Sequence, residues 1–150
     1  MRVVIQRVSE AKVVSEGETL GAINQGLLVL AGFEAEDSQE DMDWMLRKLT
    51  QLRIFSDEDG NMNLSLNDID GELLLVSQFT LHASTKKGNR PSFIKAAKPD
   101  LAEDLYEQFK QSLKLKMGNK LKCGKFGADM KVSLVNDGPV TISMDTKNKE

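Results

Sequence analysis

The stretch Leu73-Leu74-Leu75-Val76-Ser77-Gln78-Phe79-Thr80-Leu81-His82 decides how the chain is read. It begins apolar, after a turn signal at Asp70-Gly71, and ends polar, before a loop rich in Lys, Gly and Pro. At the period of two of an extended chain, Leu74, Val76, Gln78, Thr80 and His82 share one face. Leu73, Leu75, Ser77, Phe79 and Leu81 share the other. The expectation is a buried strand over the whole stretch that delivers hydroxyl and amide groups to a sheet edge. Such an end is a sound base for a binding or catalytic site. It is also what an ordinary core strand looks like where it meets water.

Upstream, Arg2–Val8 reads as a β-branched strand and Ala11–Ser15 as its neighbour, with Ser9-Glu10 between them. A turn at Ser15-Glu16-Gly17-Glu18 leads to a short strand Thr19–Ile23. A second turn, Asn24-Gln25-Gly26, leads to the apolar run Gly26–Gly32, expected to be buried on both faces. Ser38 is placed as a helix N-cap with Asp41 three residues on, a capping-box variant. Met42, Met45, Leu46, Leu49 and Leu52 then follow at helical spacing, and Leu52–Ser56 reads as a returning strand. Asp57–Asn63 is rich in oxygen ligands but has its glycine too early and no closing glutamate for a calcium loop, so it reads as a polar turn.

Downstream, Pro99 suits the first turn of a second helix, Leu101, Leu105, Phe109 and Leu113 form its stripe, and Gly118 stops it. Strands near Asp129–Val135 and Val140–Met144 follow, joined by Asn136-Asp137-Gly138-Pro139, which by itself reads as a tight turn. Residues 146–150 are polar and are expected to fray. The fold class is α/β in the α+β sense. One domain is expected over residues 1–145, with a mostly antiparallel sheet and two helices.

A chain of 150 residues with 40% apolar and 29% charged residues has the make-up of one soluble globular domain. The single cysteine, Cys123, excludes an intramolecular disulfide and suits a reducing compartment. No run has the length of a membrane span, so a cytoplasmic protein with no membrane partner is expected. A net charge of −3 argues against nonspecific nucleic-acid binding, but the charges are segregated. Glu34–Asp43 holds six acids and no base, and Lys110–Lys125 six lysines and no acid. Lys86, Lys87 and Arg90 follow the central stretch. Such separation steers a polyanion to one side, or it decorates a solvated surface. With one histidine and one cysteine there is no zinc ligand set, and neither a metal nor another cofactor is expected.

Thr80 and His82 would offer a hydroxyl and a base. Two positions apart on a strand, they stand roughly 7 Å from each other. No acid lies nearby in sequence to orient the imidazole, so a triad is poorly supported and His82 reads as a bystander.

Five blocks carry more than their patterns. Met1–Val8, Ser77-Gln78-Phe79-Thr80-Leu81, Gly88-Asn89-Arg90-Pro91-Ser92-Phe93, Phe126-Gly127-Ala128-Asp129-Met130 and Asn136-Asp137-Gly138-Pro139-Val140-Thr141 resemble, in order and spacing, the D-aminoacyl-tRNA deacylase (D-tyrosyl-tRNA deacylase) family. The resemblance runs from Met1 to about Met144. It implies strands curled into a partly open barrel with both helices on one side. It implies hydrolysis of the ester of D-aminoacyl-tRNA to tRNA and D-amino acid, with rejection of the L-form, and glycyl-tRNA mischarged on tRNA-Ala as a further substrate. Ser77, Gln78, Phe79 and Thr80 would form the catalytic group. Gly138 and Pro139, joined by a cis bond, would turn their carbonyls into the pocket of the other subunit of a homodimer and read chirality there, with Arg7 in support. Lys86, Lys87 and Arg90 would meet tRNA phosphates.

Two mechanisms stay open under that resemblance: Thr80 as nucleophile, or participation of the ribose hydroxyl next to the ester. The second suits a chain so poor in catalytic titratable groups, with Thr80 as a positioning residue. Phe79 would stack on the terminal adenine or pack in the core. A noncatalytic RNA-end or ribosome-associated binding module is the competing function.

Overall fold

The computed structural model describes residues 1–150. Its long elements are two strands that run side by side. β1 spans Arg2–Ser15 without interruption, and β8, the last strand, spans Lys131–Asp145. Between them come β2 (Glu18–Ile23), β3 (Gly26–Gly32), helix α1 (Gln39–Gln51), the short β4 (Phe55–Ser56) and β5 (Met62–Leu64), β6 (Glu72–Ser77), helix α2 (Pro99–Met117) and β7 (Leu121–Cys123). The sheet order is β2-β1-β3-β6-β7, with β8 on the other edge of β1. β1 pairs antiparallel with β2, β3 and β8, while β3–β6 and β6–β7 are parallel, with α1 and α2 in the crossovers. Gly21 of β2 comes against Lys122 and Cys123 of β7, so the sheet nearly closes into a barrel.

Two cores result. One lies between the sheet and the helices, with Val3, Ile5, Val29, Leu73 and Leu75 against Met45, Leu49, Tyr106 and Phe109. The other fills the barrel with Val8, Ala11, Val13, Ile23, Leu28, Leu74 and Val76. Gly26–Gly32 is buried almost throughout, as a run apolar on both faces must be. β1 serves both cores through a bulge. Val8 pairs with Asn136 and Glu10 with Val135, so one extra residue of β1 is accommodated at Ser9. This shifts the face parity, and Val8, Ala11 and Val13 all point into the barrel. The Ser9-Glu10 break expected between two strands is therefore a bulge inside one.

Three other expectations change. Asn136–Pro139 is no turn between two strands, because the chain on both sides of it pairs with β1. The central stretch is extended only to Ser77. Gln78 leaves the ladder, and Phe79–His82 form one turn of 3-10 helix. The tail expected to fray from residue 146 is fastened at its start. Thr146 is buried and its N–H donates to Met1 O at 3.0 Å, while Lys147 Nζ donates to Asp41 at 2.7 Å.

The Asp41 carboxylate also closes the predicted capping box, accepting from the Ser38 N–H and hydroxyl. Burial pushes this carboxyl up, but Lys147 and the Ser38 donors outweigh it and hold the group well below the usual carboxylate range. A depressed carboxylate stabilises the fold above its unfolded pKa and loses that contribution as pH falls. Asp41→Ala should therefore cost about 1–2 kcal/mol at neutral pH. Thermal melts should show the gap between variant and parent closing as the solution is acidified below the ordinary carboxylate pKa.

Candidate active site

β6 ends where the ladder gives way, and a cavity of about 820 Å³ opens there. Val76, Ser77, Gln78 and Phe79 form one wall. Phe93, Ile94, Ala97, Lys98 and Pro99 form the second, and Phe126–Met130 with Val132 the third. The lining is mainly apolar, with a few polar groups converging at the end of β6, the usual make-up of a small-ligand site.

The polar corner is held from behind. Gln78 N–H donates to Ala31 O at 2.7 Å, which ties the turn to the end of β3. Gly32 lies directly beneath it. A Cβ there would stand 2.7 Å from Gln78 O and 3.1 Å from His82 Cδ2, so only glycine allows this approach. Arg2 adds a bond to Leu81 O at 3.2 Å and is itself anchored on Asp145 at 2.7 Å. On the open side, Gln78 Nε2 donates to Thr80 Oγ1 at 2.6 Å. Phe79 and Thr80 open the 3-10 turn, so their backbone N–H groups find no partner within it. Two successive donors at a rigid turn suit a developing oxyanion better than the straight strand expected from the pattern.

Phe79, which the alternation placed on an apolar face, is instead 56% exposed at the cavity mouth. Its ring meets that of Phe93 edge-on at 5.0 Å. His82 is buried, and neither of its ring nitrogens has a hydrogen-bond partner, so no Thr80–His82 pair exists. No group of three His, Cys, Asp or Glu side chains is gathered to hold a metal ion. Lys86, Lys87 and Arg90 are exposed on a loop closed at its base by paired Ser84 and Ser92 bonds of 2.7 and 2.9 Å. They do not line the cavity, whereas Lys98 does. The walls at Phe93–Pro99 and Phe126–Val132 lie far from Ser77 in sequence. Their only advance signal was membership, in part, of the resembling blocks.

Gly138 and Pro139 stand apart from the cavity of their own chain. Between the pairs Gln6–Thr141 and Val8–Asn136, Arg7 alone on β1 faces Asp137–Val140 on β8. The surplus residues are thrown outward as an exposed corner with a cis Gly138–Pro139 bond. Buried Arg7 fills the space behind, its Nε donating to Asp137 O at 2.7 Å and a terminal nitrogen to Ile54 O at 2.5 Å. The Asn136 side chain closes the corner, accepting from Val140 N–H at 2.8 Å and donating to Val140 O at 3.2 Å. A Cβ on Gly138 would stand 2.6 Å from Val140 N.

A family model described as D-Tyr-tRNA(Tyr) deacylase matches residues 4–145. The D-aminoacyl-tRNA deacylase of Flavobacterium johnsoniae is 61% identical over 150 residues, all of both chains, and that of Bacteroides fragilis is 59% identical over the same span. The solved structure of c-Myc DNA Unwinding Element Binding Protein superposes with a TM-score of 0.92 at 43% identity, covering 97% of this chain and 98% of that one. A probable eukaryotic D-amino acid tRNA deacylase superposes with a TM-score of 0.82 at 18% identity, covering 95% and 97%, a likeness of fold alone. Sequence and fold agree, and the chain belongs to the D-Tyr-tRNA(Tyr) deacylase family.

Proposed function

We propose that the protein hydrolyses the ester bond of D-aminoacyl-tRNA, releasing free tRNA and D-amino acid, and rejects L-aminoacyl-tRNA. The observation that carries this reading is the rigid polar turn that starts with Gln78 and Phe79 on the wall of an apolar cavity and continues to Thr80 just beyond its lining. The ester carbonyl lies against the turn, and the N–H groups of Phe79 and Thr80 receive the oxyanion as water adds. The carbon–oxygen bond to ribose then breaks, and a proton goes to the ribose oxygen. The ribose hydroxyl beside the ester orients the water. Thr80 already accepts from Gln78 and has no base beside it, which favours a positioning role over a nucleophilic one. Exposed Phe79, beside Phe93, offers a ring face to the terminal base. Lys86, Lys87 and Arg90 meet phosphates beyond it.

Chirality is read by Gly138 and Pro139 in a homodimer. Their corner is exposed and does not line the cavity of its own chain, which supports its use in the partner's. Its rigidity lets it accept an α-amino group while obstructing the direction an L side chain takes. Because the side chain is not gripped, many D-amino acids and glycine pass, including glycyl-tRNA mischarged on tRNA-Ala. No helix is long and apolar enough to cross a membrane. A tRNA substrate and a single cysteine support a cytoplasmic site of action.

Purified protein given D-tyrosyl-tRNA and L-tyrosyl-tRNA should release tyrosine rapidly from the first alone. Tight binding of both without turnover would instead favour a noncatalytic RNA-end module. Gly32→Ala should push on Gln78 O and lower kcat about a hundredfold with a smaller change in KM. A kcat within threefold of the parent would dissociate the turn from the chemistry. Arg7→Met should free the corner from Asp137 O. The D-to-L ratio of kcat/KM should fall at least tenfold, on the order of one charged hydrogen bond, and by more than the D-substrate rate itself. Circular dichroism checks that both variants fold.

A further inference from the structure

Lysines of α2 and of the segment after β7 lie outside the cavity lining and have no part in the proposed chemistry. Phe126 of the cavity wall packs on Tyr106 of α2 with ring centroids 5.7 Å apart. Lys110 and Lys114 follow Tyr106 along the same helical stripe at spacings of four, about 6 and 12 Å further along the axis. Lys125 immediately precedes Phe126 and is exposed. The two elements converge on Cys123. Tyr106, Phe109 and Leu113 of α2 share one core with Leu121, Cys123 and Phe126, so the helix packs on β7 and the segment after it. Lys114 is exposed and, like Lys125, enters no ion pair. Lys110 pairs with Glu107 at 3.0 Å, a half-exposed i, i+3 bridge of little strength. An acidic protein thus keeps a row of cations running away from its cavity along one helix.

We propose that Lys110, Lys114 and Lys125 form a track for the RNA backbone, binding phosphates of the substrate's acceptor stem on the side of the cavity opposite the Lys86–Arg90 loop. This rests on the function proposed above, in that the RNA is the one whose ester end occupies the cavity. The track holds the body of the RNA and leaves the reacting end to the turn, so it contributes to affinity for tRNA and not to the chemical step.

The triple variant Lys110→Ala, Lys114→Ala and Lys125→Ala tests it on two substrates, D-tyrosyl-tRNA and D-tyrosyl-adenosine. With tRNA, KM should rise about tenfold at unchanged kcat, and the slope of log KM against log salt should become shallower by about two to three. Hydrolysis of D-tyrosyl-adenosine should be retained. Arginine at the same three positions should keep the parent KM, and Glu107→Gln should lower it. An unchanged KM and salt slope with tRNA overturns the proposal, as does an equal loss on both esters. Fluorescence anisotropy with uncharged tRNA makes the same comparison without turnover. A parent protein that cleaves neither ester therefore counts against the enzymatic function, while the track stands or falls on whether the triple variant loses tRNA affinity.

Discussion

β1 is hydrogen-bonded along both edges, and most of the architecture follows from that. Its first half lies between β3 and β8, its second between β2 and β8. A central strand of this kind has no free edge, so its register is fixed from two sides. Every irregularity in the pairing must then appear in a partner or as a bulge. One such irregularity at Ser9 lets β1 leave the helix-side core and enter the barrel. Another, opposite Arg7, expels the Gly138-Pro139 corner into solvent. The two cores and the projecting corner are thus outcomes of the same ladder.

The turn that edges the candidate site carries no charge, although Lys98 and Asp129 also line the cavity. Its polar atoms are backbone N–H groups at the start of a short turn, an amide and a hydroxyl, and each is set by something rigid behind it. Gln78 is fixed by the carbonyl of Ala31, the close approach of the turn by the missing side chain of Gly32, and Leu81 by Arg2. Such groups act by being in position before the reaction begins, and they do not change protonation near neutrality. His82, the one histidine, is buried, and neither of its ring nitrogens has a hydrogen-bond partner.

What could be read from the chain divides along physical lines. Local signals carried well. The Ser38–Asp41 capping box, the proline-led start of α2 and the uniformly apolar β3 formed where the residues imply. Residues in a row can be read when a hydrogen bond spans only three or four of them. The stretch Gln78-Phe79-Thr80-Leu81-His82 misled because its alternation is that of a strand, while the contact that ends the strand comes from Ala31 and Gly32, far away in sequence. The same reason hid the two distant walls of the cavity and the continuity of β8, whose halves are joined through β1 and not through each other. Thr146 and Lys147 look like loose polar residues until Met1 and Asp41 are placed beside them.

Asn136 has a consequence of its own. Its amide bonds to both the N–H and the carbonyl of Val140, and so knots the projecting loop at its neck using only residues of that loop. The protrusion arrives already shaped, like a key cut before it meets the lock. A loop preformed in this way has little disorder left to lose in any association.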